Sequence, residues 1–249
     1  MGRILLCLCC LAASLGAHAG EVLVAVAANF TAPMKEIAAS FEGATGHRAR
    51  LAFGSTGKLY AQIRNGAPFE VLLAADSETP AQLEALGLTV AGTRSSYAIG
   101  RLALWSPDPA RVDAAGRVLA DGSIRRLALA NPQLAPYGRA AEQTLRALGL
   151  WQSLRARLVL AESISQSYQF IASGNVPLGF VALSQIVRGG ALQSGSAWRV
   201  PDDLFGPLRQ DLVLLRPGEH SPAAAALLRF MASPDAHRVL RDYGYEVPR

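Results

Sequence analysis

Cysteine is missing from most of this chain: Cys7, Cys9 and Cys10 are all the cysteines there are, and none follows them. Past residue 19 there can be no disulfide framework, thiol nucleophile or cysteine-based metal site. Histidine is scarce as well. Beyond residue 19 only His47, His220 and His237 remain. They lie far apart with no i,i+4 pairing, which argues against a zinc site. Lysine is reduced to Lys35 and Lys58, the other bases being scattered arginines. The formal charge of +5 therefore reads as a solvated surface and excludes a nucleic-acid footprint, which would need a basic run or stripe. No apolar run reaches the ~18 residues of a membrane-spanning helix. There is no G-x-S-x-G, which weakens a serine hydrolase.

What is present is a packed globular composition. The chain has 249 residues, 51% hydrophobic and 17% charged, enough for one large domain or two of roughly 100–150 residues. Its first 19 residues read as a secretory leader. Arg3 is a short basic start, Ile4 to Leu15 an apolar core, and Ala17-His18-Ala19 an A-x-A cleavage site. The exported product then begins at Gly20; a lipid on Cys10 is the competing reading and would leave a very short apolar core. Without Arg3, 23 bases face 19 acids, a formal +4.

Strands and helices alternate from there. Val22–Ala28 is continuously apolar, as a fully buried strand is. Pro33 opens a helix carrying Met34, Ile37 and Phe41. Arg48–Phe53 is a strand, Lys58–Asn65 a helix and Glu70–Ala75 a strand. Thr79-Pro80 then starts a helix through Leu86. This β–α rhythm predicts a parallel sheet with helices on both faces. Tyr97–Trp105 reads as a strand at a crossover. A second series follows: strand Arg126–Ala130, helix Gly138–Leu148, strand Leu158–Ala161, helix Ser165–Ser173 and strand Leu178–Leu183. Val200–Pro207 reads as a return linker and Leu208–Leu215 as an apolar strand. Helices Ser221–Met231 and Pro234–Tyr243, each opened by Ser and Pro, end the chain. Two similar lobes joined by extended crossovers imply a cleft lined by strand-end loops of both.

Four strand-to-helix junctions carry small polar or donor-rich sequences: Ala28-Asn29, Gly54-Ser55-Thr56-Gly57, Ala135-Pro136-Tyr137-Gly138 and Glu162-Ser163-Ile164-Ser165. Each can present a fan of free N–H groups at the positive end of a helix dipole. Converging, they would form a neutral, dipolar cage suited to a doubly charged tetrahedral oxyanion. Simpler readings stand beside this one: Ser55-Thr56 as a helix cap, Asn29 as a turn residue, Tyr137 as a surface aromatic, Ile164 as core. GSTGKL has too few residues between its glycines for a P-loop. Lys58 then reads as a surface helix residue, and Asp76 caps the turn that follows it.

Four blocks, AANFTAPMKEIAASFE, FGSTGKLYAQIRNGAPFEVLLAAD, NPQLAPYGRAAEQTL and ESISQSYQFIASGNVPLGFVALSQ, resemble the periplasmic molybdate-binding proteins of ABC transporters. The resemblance spans Glu21 to Val247. It implies an α/β, two-lobed type II periplasmic-binding-protein fold with the ligand cleft between the lobes, here expected at residues 20–100 plus 205–249 and at 101–204. It implies no enzyme and no cofactor, but a monomeric periplasmic carrier of molybdate, and tungstate with it, to an inner-membrane permease. Molybdenum would be held only as the oxyanion. By position, the family's side-chain ligands fall on Asn29 and Ser55 and its main-chain donors on Tyr137 and Ile164, with Ala28 and Thr56 adjacent. One branch of the family uses a tyrosine where this chain has Ala182, so Ala182 is not counted. Asn29 with Tyr137 resembles another branch, in which the third-loop tyrosine replaces the lost one. A receptor for sulfate or another small oxyanion, or an exported hydrolase using Asp76 or Ser55, are the alternatives.

Overall fold

A computed structural model describes residues 19–248; the expected leader and its cysteines lie outside the described residues, apart from Ala19. In chain order the strands are β1 (Glu21–Ala27), β2 (Arg48–Gly54), β3 (Val71–Leu73), β4 (Ser95–Ile99), β5 (Leu102–Ser106), β6 (Leu127–Ala130), β7 (Leu158–Ala161), β8 (Gly179–Ala182), β9 (Val187–Arg188), β10 (Ala191–Leu192), β11 (Ser196–Arg199) and β12 (Arg209–Leu214). The helices are α1 (Thr31–Thr45), α2 (Thr56–Arg64), α3 (Glu78–Ala85), α4 (Pro136–Ala147), α5 (Trp151–Leu154), α6 (Ile164–Ala172), α7 (Pro222–Met231) and α8 (Pro234–Asp242).

Two five-stranded sheets organise these elements, in the orders β2-β1-β3-β12-β4 and β11-β5-β8-β6-β7. Alternation along β1 divides the first lobe's core. Val22, Val24 and Val26 face α1, α7 and α8 through Met34, Ile37, Phe41, Leu227 and Leu240. Ala25 faces the opposite way, into a cluster with Leu59, Leu72 and Leu83. In the second lobe Leu102, Leu104, Leu127 and Leu129 pack with Leu145 of α4 on one face. Ala103, Trp105 and Ala128 pack with Ile171 of α6 on the other. Each sheet is thus covered on both faces, which is why interior strands such as β3, β6 and β8 are apolar throughout.

The sheets are mixed, which corrects the expectation of purely parallel ones. β1, β2 and β3 run parallel, but β12 enters antiparallel to both β3 and β4. In the second sheet β6 is parallel to β7 and β8, while β5 is antiparallel to both β8 and β11. The antiparallel strands are those next to a lobe crossover, where the chain arrives without an intervening helix. The expected single strand Tyr97–Trp105 is in fact β4 and β5, one in each sheet, parted at Gly100-Arg101. Gly100 N–H donates to Leu208 O at 2.9 Å, so the two crossovers are tied side by side. Short elements with weak patterns, α5, the β9–β10 hairpin and β11, are not anticipated by the sequence reading. The two closing helices are: Ser221 and Ser233 cap α7 and α8 with prolines in their first turns.

Candidate functional site

The helices at the four junctions begin earlier than their apolar periodicity suggests, and this makes the site. α2 starts at Thr56 instead of Lys58, so Ser55 becomes its N-cap. α4 starts at Pro136 instead of Gly138, which puts Tyr137 in its first turn, and α6 starts at Ile164 instead of Ser165. At the first junction a 3-10 turn, Ala28–Phe30, is interposed between β1 and α1. First-turn N–H groups have no partner inside their own helix. Residues that read as loop thereby become donors.

All six candidate residues, Ala28, Asn29, Ser55, Thr56, Tyr137 and Ile164, line one small cavity, with Ala27, Ala75, Ala135 and Pro136 completing it. The space open to the centre of a water-sized sphere is ≈ 10 Å³, room for one compact occupant. Tyr137 is the one titratable residue in that lining. Ser55 is 3% exposed, and its hydroxyl oxygen, fully buried, has no hydrogen-bond partner. Although Ser55 holds the N-cap position of α2, its side chain makes no capping hydrogen bond, so a capping role does not account for the hydroxyl. A buried orphan hydroxyl costs about 1–3 kcal/mol unless something fills the place of its partner. Thr56 Oγ1, in contrast, accepts from Ala75 N–H at 3.1 Å and ties β3's exit to α2. Ser163 caps α6, accepting from Gln166 N–H at 3.2 Å.

Asn29 and Tyr137 reach the cavity wall, but their side-chain polar ends lead elsewhere. Asn29 Nδ2 donates to Gln210 Oε1 and to Tyr245 OH, both at 2.9 Å, so both amide protons are committed. The expectation that this amide is aimed at a ligand is corrected accordingly: the junction's uncommitted donors are main-chain ones. Tyr137, expected either at the surface or as a replacement ligand, is 1% exposed, and its hydroxyl accepts from Gln210 Nε2 at 3.2 Å. Burial pushes the Tyr137 and Tyr97 phenols well above their ordinary value, with neighbouring Tyr245 adding to both shifts. Burial raises Tyr245 to about 12, although hydrogen bonds with Ser184 and Asn29 pull it back. The tyrosines around the site are thus neutral over the whole physiological range.

The family described as bacterial extracellular solute-binding protein matches residues 22–246. The chain belongs to this family. It is 54% identical over 229 residues to the molybdate-binding protein ModA of Azotobacter vinelandii, covering 92% of this chain and 91% of that one. It is 49% identical over 232 residues to ModA of Rhodobacter capsulatus, covering 93% and 90%. In three dimensions it superposes on the periplasmic molybdate-binding protein of Azotobacter vinelandii with a TM-score of 0.89, at 40% identity over 92% of this chain and 100% of that chain. These relatives are binding proteins, and this solute-binding protein is not an enzyme.

As a solute-binding protein it is shut. Gly57 N–H donates to Leu134 O at 2.9 Å across the cleft, and Ser165 Oγ donates to Ala28 O at 2.8 Å. Ser184 Oγ donates to Asn29 O at 3.0 Å. Gly57 permits its contact because a Cβ there would stand 2.9 Å from Leu134 O and 3.2 Å from Leu134 Cα. Ion pairs bridge the lobes further out, among them Lys58–Glu162 at 2.5 Å, Arg139–Asp76 at 2.7 Å and Arg188–Glu36 at 2.7 Å. Lys58 is therefore a surface residue with a cross-cleft partner. Asp76 caps its turn, accepting from Thr79 N–H at 3.0 Å, and holds Arg139 with its other oxygen. Thr79, expected as the N-cap, lies inside α3 instead. An open groove of ≈ 590 Å³ adjoins the cavity and shares Ala28 and Ser55 with it. Ala182, at the end of β8, donates its N–H to Gln185 and does not line the cavity. Gln210 and Tyr245 were not anticipated; the available signal was the polar run Arg209-Gln210-Asp211 at the start of an otherwise apolar strand.

Proposed function

We propose that this chain binds molybdate in the small cavity between the helix starts, accepts tungstate on the same shape and charge, and delivers the anion to an ABC permease from the periplasm. The observation that carries this reading is the buried, partnerless Ser55 hydroxyl on an uncharged cavity ringed by helix starts. In this reading the Ser55 hydroxyl donates to the anion, joined by main-chain N–H groups at Ala28-Asn29, Thr56, Tyr137 and Ile164. Preorganised dipoles balance the charge without a base in the cage. No cofactor is called for, and molybdenum stays inside the intact oxyanion. The units that close are residues 20–100 with 205–249, and 101–204, acting as a monomer after a leader ending at Ala19 is removed.

Protonated phosphate would need a buried carboxylate acceptor beside it. Glu162, the candidate for that role, has a side chain 65% exposed, paired with Lys58 and outside the cavity lining. A fully ionised anion fits better. Calorimetry with molybdate, tungstate, sulfate and phosphate tests the reading. Tight binding of the first two alone is expected. Equal affinity for sulfate refutes the selectivity, and no affinity for any of them refutes the function.

A further inference from the structure

Gln210 sits on β12, 0% exposed, and among the cavity-lining residues it hydrogen-bonds Asn29 and Tyr137. Its amide is used on both sides. Oε1 accepts from Asn29 Nδ2 at 2.9 Å and stands 3.0 Å from Tyr97 OH; Nε2 donates to Tyr137 OH at 3.2 Å. Asn29 belongs to the first junction, in one lobe, and Tyr137 to the third, in the other. The backbone is shaped to bring this about. Pairing between β12 and β4 runs Gln210↔Ala98 and then Asp211↔Ser96, which leaves Tyr97 as the extra residue of a bulge. Bulges re-aim side chains beside functional sites, and here Tyr97 and Gln210 meet as a result.

The same spot is the crossover. A Cβ at Gly100 would lie 2.1 Å from Tyr137 OH and 2.5 Å from Gln210 Nε2. The Tyr137–Gln210 bond therefore forms directly against the segment that joins β4 to β5, and only a glycine leaves room for it. Tyr245 completes the group. It accepts from Asn29 and lies 3.0 Å from Ser184 Oγ of the second lobe.

We propose that Gln210 is a positioning residue for anion binding: by joining Asn29 to Tyr137 across the Gly100 crossover, it holds the lobes closed and sets how slowly the anion leaves, without touching it. This rests on the molybdate reading for its ligand but not for its geometry. Asn29 and Tyr137 lie in opposite lobes, so opening is expected to break one of Gln210's two links. Loss of Gln210 leaves one Asn29 amide proton and the Tyr137 hydroxyl without this partner, while Tyr97 OH keeps Ala74 O at 3.0 Å; that cost is expected to fall on the closed state.

The test uses the full exported chain with one cysteine placed in each lobe, Glu42→Cys and Ser173→Cys, in a background free of other cysteines past residue 19. Labelled for energy transfer, it reports the closed fraction with and without molybdate; stopped flow gives the two rate constants. Gln210→Leu is expected to release molybdate roughly 10- to 100-fold faster with its association rate nearly unchanged, as interface losses usually fall on dissociation. Tyr137→Phe and Gly100→Ala should do likewise, and each should add little to Gln210→Leu because they break the same link. Unchanged release, or fully additive losses, overturns the proposal. Should the wild type bind no molybdate, the functional reading fails by itself. The positioning role is then judged on the ligand-free closed fraction, which Gln210→Leu must lower and which, if unmoved, refutes it. Tyr97→Phe, which keeps the bulge and removes one hydroxyl, serves as the milder variant should Gln210→Leu not fold.

Discussion

Replacing Ser55 by alanine should move stability and affinity in opposite directions. In the protein alone the Ser55 hydroxyl is buried at 3% exposure without a partner. An unsatisfied buried polar group costs about 1–3 kcal/mol, and alanine removes that cost together with little packing. For a chain of this length ~1 kcal/mol corresponds to about 2–4 °C in Tm, so the ligand-free variant should melt a few degrees higher. In the proposed molybdate complex the same hydroxyl donates to a charged acceptor, a bond worth about 1.5–3 kcal/mol. Affinity should then fall by roughly 10- to 150-fold. Scanning fluorimetry of ligand-free protein and titration calorimetry with molybdate read the two effects separately. A variant that melts lower and binds as tightly as wild type would show that Ser55 is an ordinary structural serine and that the anion is placed wrongly.

Gly57→Ala should weaken molybdate binding by about 1 kcal/mol or more, through the lost Gly57–Leu134 hydrogen bond and the clash across the cleft; an unchanged dissociation constant in calorimetry refutes that role for Gly57. Glu162→Gln removes an exposed ion pair with Lys58. Its effect on affinity should stay below ~1 kcal/mol and disappear near ~1 M salt, so a large, salt-independent loss would contradict the geometry. Binding should be flat between pH 6 and 9, because Tyr137, the one titratable residue of the lining, has its phenol raised well above its ordinary value. The folded tyrosines sit above the unfolded value of ~10, so their contribution to stability is complete below that pH. It is lost as pH rises through the folded values, about 12 for Tyr245. Stability that already declines between pH 7 and 9 through these phenols would contradict their burial.

Strands and helices of the βα series were legible because Val22–Ala28 and Arg126–Ala130 are apolar enough to be buried on both faces, and α1 repeats at helical spacing. The early starts of α2, α4 and α6 were not legible. First-turn residues owe their conformation to the strand ends and to the facing lobe, as Gly57 does to Leu134, and periodicity says nothing about either. Tyr97–Trp105 looked continuous because both strands in it are apolar; Gly100 was visible, but its close contact with Tyr137 comes from residues far away in sequence. The position of Asn29 was readable from its strand end. The direction of its amide was not, since Gln210 and Tyr245 lie 181 and 216 residues further along.

The place of β12 between β3 and β4 has a consequence for how the chain is assembled as it is made. The first sheet needs residues 209–214 for its fourth strand, so β3 keeps an unpaired edge until nearly the whole polypeptide exists. Every strand of the second sheet lies within residues 102–199. A chain produced from its N-terminus can therefore finish the later sheet before the earlier one. The segment that opens the protein, with Asn29 at the end of β1, is among the last to be enclosed.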